Sequence, residues 1–256
     1  MKYLISLSGG KDSTACLLWA LNTLQKEDII PYYIDTKWEH DSVYEYLDYL
    51  EDKLDIKIIR LESEGMEALC KRKKVMPNPV MRFCTYELKI KTFLIYQYDN
   101  FISKGIDYIN IVGVRREESA SRANSECFVI LKETVRFDDG RDNVTIKIKV
   151  MRPVAYWTTQ RVFDYHKENG IDVNPLYKKG FKRVGCYPCI YANKHELILI
   201  ENKYIQRLRN LENDMKEIGG KECTFFNKDK DKHLRKTFDF GEDYSNQCVN
   251  QFGICE

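Results

Sequence analysis

Residues 2–7 alternate between polar and apolar and then run apolar, the pattern of a buried strand, and they end at a double glycine. A helix is predicted over 13–24, where Ala15, Leu18 and Leu21 share one face. Residues 29–34 read as a second buried strand. Residues 41–54 read as a helix, with Val43, Tyr46, Leu47, Leu50 and Leu54 at three- and four-residue spacing. A third strand is predicted over 56–61, a basic loop over 71–79, a helix over about 86–103 and a further strand over 107–114. Strands alternating with helices predict a parallel sheet covered on both faces.

The pattern then changes. Residues 127–136 and 143–151 flank Asp138-Asp139-Gly140, which predicts an antiparallel hairpin. Thr158 is placed to cap a helix that stops at Gly170. Ile205, Leu208, Leu211, Met215 and Ile218 mark another amphipathic helix, ending at Gly219-Gly220. The charges of 228–236 read as a solvated loop.

Composition narrows the class. Of 256 residues, 43% are apolar, enough for a real core. Forty-one basic residues against 39 acidic ones leave a net charge of +2, which excludes a strongly basic nucleic-acid wrap but leaves room for a local basic patch. No run of apolar residues is long enough to span a membrane, and the apolar start is too short for a signal peptide. A soluble, cytoplasmic protein is expected. Nine cysteines are many for such a chain. Cys16, Cys70 and Cys127 sit singly in helix or strand patterns and are expected to pack as small apolar residues. Cys186 and Cys189 form a Cys-x-x-Cys, while Cys84, Cys223, Cys248 and Cys255 stand apart from any such pattern.

Ser8-Gly9-Gly10-Lys11-Asp12-Ser13 joins the first strand to the first helix. Glycines let successive N–H groups point inward as an anion nest, and the helix N-terminus adds its dipole. Two serine hydroxyls and the Lys11 ammonium complete a phosphate-binding set, at the strand end where parallel sheets bind ligands. The glycine spacing differs from that of the kinase and GTPase loop. This hexapeptide resembles the PP-loop of the ATP pyrophosphatase superfamily. Further segments resemble that superfamily's phosphoadenosine phosphosulfate (PAPS) reductase branch: Asp35-Thr36-Lys37-Trp38-Glu39, with Lys37 at a usual glycine; Arg82-Phe83-Cys84-Thr85 with Leu88-Lys89; Gly113-Val114-Arg115 through Ser119 and Arg122; and Asn174-Pro175-Leu176-Tyr177 through Cys186-Tyr187-Pro188-Cys189. The resemblance spans about residues 2–200.

It implies an α/β, Rossmann-like parallel sheet with helices on both faces, plus a small cysteine-bearing C-terminal helical segment. The expected division is 1–175 for the nucleotide-binding domain and 176–256 for the cysteine-rich segment. Carried over position by position, the resemblance implies nucleotide binding by Ser8, Gly9, Gly10, Lys11, Asp12, Ser13, Asp35, Thr36, Gly113, Arg115, Ser119 and Arg122, with Lys11, Asp12, Cys84 and Arg115 in the chemistry. Arg115 and Ser119 are expected to face the nucleotide phosphates.

Relatives with an iron–sulfur cluster pair a Cys-Cys with a Cys-x-x-Cys. Here Thr85 takes the second place of the first pair, so Cys186 and Cys189 with Cys248 and Cys255 are the expected ligands, with Cys84 and Cys223 as alternatives. Four thiolates suit a [4Fe–4S] cluster or zinc, and the resemblance favours the cluster. Cys84 lies between Arg82 and Lys89, a basic setting expected to favour its thiolate and allow it to carry sulfur.

His40 reads as a nucleotide contact or an exposed helix cap; His166, His195 and His233 read as surface or packing residues. Trp38 and Trp157 read as adenine-stacking or core residues, and the cations of 71–74 and 178–183 as followers of a phosphodiester backbone or as ordinary neighbours of an anion site.

Two chemistries follow from the resemblance. One is ATP-dependent activation of an acceptor, DNA or RNA, for sulfur transfer, with Mg²⁺ and a cysteine desulfurase as sulfur donor. The other is reduction of PAPS or its 3′-dephospho form, adenosine phosphosulfate (APS), with sulfite release. Reductases of that class carry a Glu-Cys-Gly-x-His-like motif that this sequence lacks, which favours the first. A nucleotide-binding subunit of a modification or defence complex is the third reading, and a homo-oligomer is compatible with each.

Overall fold

A computed structural model describes residues 1–219, 224–226 and 231 of the chain. β1 (Lys2–Leu7), α1 (Lys11–Thr23), β2 (Ile29–Asp35), α2 (Asp41–Leu54), β3 (Ile59–Glu62) and α3 (Met66–Lys73) alternate along its first part. α4 (Lys91–Gln97) follows, flanked by π-helical turns at Thr85–Ile90 and Tyr98–Ile102. Then come β4 (Tyr108–Ile111), β5 (Phe128–Val135), β6 (Val144–Met151), α5 (Thr159–Glu168), α6 (Lys194–Ile198) and α7 (Asn202–Gly219). The strands form one sheet in the order β3-β2-β1-β4-β6-β5, parallel except for β5. This is the expected α/β, Rossmann-like architecture.

Side-chain alternation in β1 explains why both faces are covered. Leu4 packs with Tyr32, Leu94, Phe101 and Val135 on one side. Ile5 and Leu7 pack with Ala15, Leu18, Val43 and Leu47 on the other. A third cluster joins Trp38, Met66, Leu69 and Leu88 to Leu176, Phe181, Tyr187 and Leu208. Residues on the two sides of the expected 175/176 boundary therefore share one apolar core. Among the described residues no helix is long and apolar enough to cross a membrane.

The expected antiparallel hairpin forms as β5 and β6, and β6 joins the main sheet by pairing in parallel with β4 through Asn110↔Val150 and Ile111↔Met151. Other expectations are revised. Residues 71–73 close helix α3 instead of lying in a loop; Met66, Leu69 and Cys70 are its buried face. The cations of 71–73 are paired, Lys71 with Asp214 at 2.7 Å, Arg72 with Glu64 at 2.6 Å and Lys73 with Glu87 at 2.8 Å, so they do not form a free phosphate-tracking stripe. Cys127 is exposed just before edge strand β5, whereas Cys16 and Cys70 are buried as expected. Of the 228–236 run, only Asp231 is described, and it is buried against Arg209 at 2.6 Å.

β1 lies between β2 and β4, so the chain leaves it in opposite directions and opens a crevice at the strand ends. Gly113, just past β4, packs on the start of α1: a Cβ there would lie 2.7 Å from the Asp12 carbonyl and the Ser13 nitrogen. Gly113→Ala is expected to destabilise the fold by about 1–3 kcal/mol through this backbone clash. A denaturant titration of the purified variant checks it, and an unchanged midpoint would show that the two loops separate freely.

Candidate nucleotide and thiol site

The loop after β1 is built around Gly10, the N-cap of α1. Having no side chain, Gly10 offers no cap to the first-turn N–H groups, so those of Asp12 and Ser13 are left for an anion. Gly9 holds φ +72°, the left-handed region where glycine is unstrained, and a Cβ there would meet Val43 Cγ1 at 2.9 Å. Ser13 Oγ accepts from Ser8 N–H at 3.1 Å and donates to the Gly10 carbonyl at 3.0 Å, closing the loop on itself. Lys11 is braced at both ends of its backbone. Its N–H donates to the Tyr177 hydroxyl at 3.0 Å, and its carbonyl accepts from His166 Nε2 at 2.8 Å. A carbonyl only accepts, so Nε2 carries the hydrogen.

Asp12 joins this loop to the one after β4. Its carboxylate takes Lys11 Nζ at 2.9 Å and Arg115 Nε at 2.5 Å. Arg115 is buried and also donates to Glu117 at 2.7 Å, the Trp157 carbonyl at 3.1 Å and Thr159 Oγ1 at 3.2 Å. Its guanidinium is thus spent on the protein. Arg122, paired with Glu118 at 2.5 Å, and Arg183 line the cavity instead.

That cavity holds about 350 Å³, within the range of about 300–1,000 Å³ usual for small-molecule sites. The PP-loop forms one part of its wall, and Cys84, Cys186 and Cys189 form another. The cysteine-bearing turn is tied to the end of β2: Tyr187 N–H donates to the Trp38 carbonyl at 2.6 Å, and Trp38 Nε1 to the Pro188 carbonyl at 3.0 Å. Lys37 adopts φ +54° where the related segments have glycine, and Arg207 holds its carbonyl. Thr36 donates to the buried Glu39 at 2.6 Å, and its hydroxyl lies 3.8 Å from Cys186 Sγ. Burial raises the Glu39 carboxyl above its usual range. Lys89 is held above its usual value, chiefly by Cys186. Burial pushes the Cys84 thiol up, with Cys186 and Cys189 adding to the rise, and burial likewise raises Cys189. Burial thus works against the expected thiolate preference of Cys84, and Arg82 lies over the Tyr191 ring.

Residues 2–192 match the phosphoadenosine phosphosulfate reductase domain. The chain belongs to this family. An uncharacterized 37.8 kDa protein of Escherichia phage 186 is 31% identical over 241 residues, covering 76% of this chain and 68% of the phage protein. An uncharacterized protein of Methanocaldococcus jannaschii is 28% identical over 85% of this chain, which spans only 42% of that relative's length. A crystal structure of PAPS reductase from Candida auris, in a phosphate complex, shares the fold with a TM-score of 0.51 at 13% identity, over 74% of this chain and 83% of that one. PAPS reductase-family membership and the sheet order fit the PP-loop ATP pyrophosphatase superfamily.

Of the residues carried over from the PAPS reductase pattern, the cavity wall brings together Ser8, Gly10, Lys11, Asp12, Ser13, Thr36, Gly113 and Arg122 with Cys84, Cys186 and Cys189. Gly9 acts from behind the loop. Asp35 lies outside the wall, accepting from Lys37 N–H at 2.7 Å and Tyr44 at 2.9 Å; Ser119 is exposed beside Ser121 at 3.0 Å. Arg115 positions Asp12 and does not face the cavity. His40 is a buried cap, accepting from Ser42 N–H at 3.0 Å with Nε2 3.2 Å from Glu201. Trp38 is core, and Trp157 packs on Tyr165. Tyr177, His166, Lys89 and Glu39 are not among the expected site residues, although Tyr177, Lys89 and Glu39 lie within the quoted motifs; Arg183, among the cations of 178–183, does line the cavity.

The family pattern implies a metal cluster, and the described donors do not complete one. Three thiols reach the cavity, and among the described residues no group of three or more His, Cys, Asp or Glu is arranged to hold a metal ion. The expected ligands Cys248 and Cys255, the alternative Cys223, and His233 lie outside the described residues. Asp12 and Glu118, the carboxylates beside the nest, each pair with an arginine, so they form no Mg²⁺ site by themselves.

Burial lowers the pKa of His166. Unfolding therefore binds a proton below the ordinary histidine value of about 6.5, and stability falls as pH drops through that region. His166→Gln, which keeps a donor near the Nε2 position, is expected to flatten the stability profile between about pH 7 and 5. Parallel denaturant titrations of wild type and variant give the comparison; identical slopes would remove His166 from the acid response.

Proposed function

We propose that the protein uses ATP to activate an acceptor and then delivers sulfur to it. What carries this reading is the joining of a phosphate nest and three thiols in a single cavity. An acceptor oxygen attacks the α-phosphorus, the bond to the β-phosphate oxygen breaks, and pyrophosphate leaves. Lys11, the α1 N-terminus and Arg122 offset the charge of the phosphates. Sulfur arrives as a persulfide on Cys84 from a desulfurase-type donor. Its terminal sulfur attacks the activated carbon, and AMP departs with the bonding pair. A thiolate from Cys186 or Cys189 then attacks Cys84 Sγ, which releases the thiolated acceptor and leaves a disulfide for an external dithiol to reduce. The thiols would equally serve attack on the sulfur of a sulfonucleotide, which makes sulfonucleotide reduction the second reading.

Pyrophosphate release from ATP, measured with DNA or tRNA as acceptor, tests the proposal beside sulfite release from PAPS. Wild type is expected to release pyrophosphate, and Lys11→Ala to lose about 10²-fold or more of that rate. Cys84→Ser is expected to keep pyrophosphate release and lose sulfur incorporation. Sulfite from PAPS without pyrophosphate from ATP would establish the reductase instead.

A further inference from the structure

The rim of the cavity carries a combination that neither nucleotide binding nor thiol chemistry uses. Arg82 and Arg183 line the cavity, are exposed, and have no carboxylate partner among the described residues. Other cations around the cavity are paired, Lys179 with Glu201 at 2.8 Å and Arg122 with Glu118 at 2.5 Å. The Arg82 guanidinium lies 5.1 Å from the ring centroid of Tyr191, which is 40% exposed. Tyr191 donates its hydroxyl to the Pro79 carbonyl at 3.2 Å, and Asn78 Oδ1 accepts from Val80 and Met81 N–H at 2.9 and 2.8 Å. The ring is therefore fixed against an ordered loop whose Val80 side chain is 91% exposed. Outside the cavity lining, the half-buried Arg116, which donates Nε to the Ser125 carbonyl at 2.8 Å, lies 4.1 Å over the exposed Tyr156 ring.

Unpaired guanidinium groups call for anions, and open aromatic faces backed by arginine call for flat, unsaturated rings. A protein partner of acidic character would answer the first demand and leave the rings unmatched. A duplex would present phosphates but keep its base faces stacked. A single strand presents both.

We infer that this rim binds single-stranded nucleic acid, with phosphates on Arg82 and Arg183 and a base stacked on Tyr191. This rests on the proposed activation of an acceptor, and names that acceptor as a strand whose unstacked base enters the cavity beside the PP-loop. The mixed surface explains how a chain of near-neutral overall charge holds a polyanion: a few unpaired arginines supply the electrostatic part, and stacking supplies the rest.

The test is fluorescence anisotropy of the full chain with labelled single-stranded DNA and RNA of about twelve nucleotides, with the matching duplex, and with polyglutamate. ATP binding is measured separately on the same preparation. Single strands are expected to bind more tightly than duplex or polyglutamate, with affinity falling as salt rises. Tyr191→Ala and Arg82→Ala should each weaken single-strand binding by about tenfold, and Tyr191→Phe, which keeps the ring, should restore it. ATP binding without single-strand binding would overturn this inference and leave the nucleotide reading standing. Equal affinity for duplex or polyglutamate, or an unchanged affinity in both alanine variants, would also overturn it. Loss of ATP binding in wild type would instead overturn the proposed function itself.

Discussion

The contact between the loop after β1 and the loop after β4 is the constraint on which the site depends. Gly113 lets the second loop lie against the Asp12–Ser13 peptide, and the Asp12 carboxylate spans Lys11 and Arg115. Arg115 is buried and shares its charge between Asp12 and Glu117, so the two loops are held by a network and not by one pair. The consequence is geometric as much as energetic. α1 begins at the crevice without a side-chain cap, and Lys11 is held by Tyr177, His166 and Asp12 before any phosphate arrives.

A second join brings sulfur chemistry to the same place. The turn carrying Cys186 and Cys189 is stitched to the end of β2 by main-chain and indole hydrogen bonds, while Cys84 arrives from the π-helical start of the α4 stretch. These thiols are half-buried and set against an apolar cluster, and burial raises Cys84 and Cys189.

Features written in local sequence were legible from it. The PP-loop is six consecutive residues, α2 shows its apolar stripe from Asp41 to Leu54, and Asp138-Asp139-Gly140 marks the turn between β5 and β6. What failed depended on contacts distant in the chain. Nothing local shows that β6 docks beside β4, or that His166 reaches back 155 residues to the Lys11 carbonyl. Arg115 misled for the same reason: an arginine at a strand end looks alike whether it meets a phosphate or Asp12. Lys37 shows the converse, since a non-glycine residue accepts the left-handed backbone that glycine takes in related segments.

Nucleotide and thiols occupying one cavity is the central claim, and differential alkylation tests it directly. Cys84, Cys186 and Cys189 would be labelled with a maleimide with and without ATP, and the modification of each cysteine followed by peptide mass spectrometry. The shared cavity predicts that ATP slows labelling of these three while the exposed Cys127 reacts at an unchanged rate. Equal labelling of all three with and without ATP, under conditions where ATP binding is demonstrated, would place the nucleotide elsewhere and contradict the account.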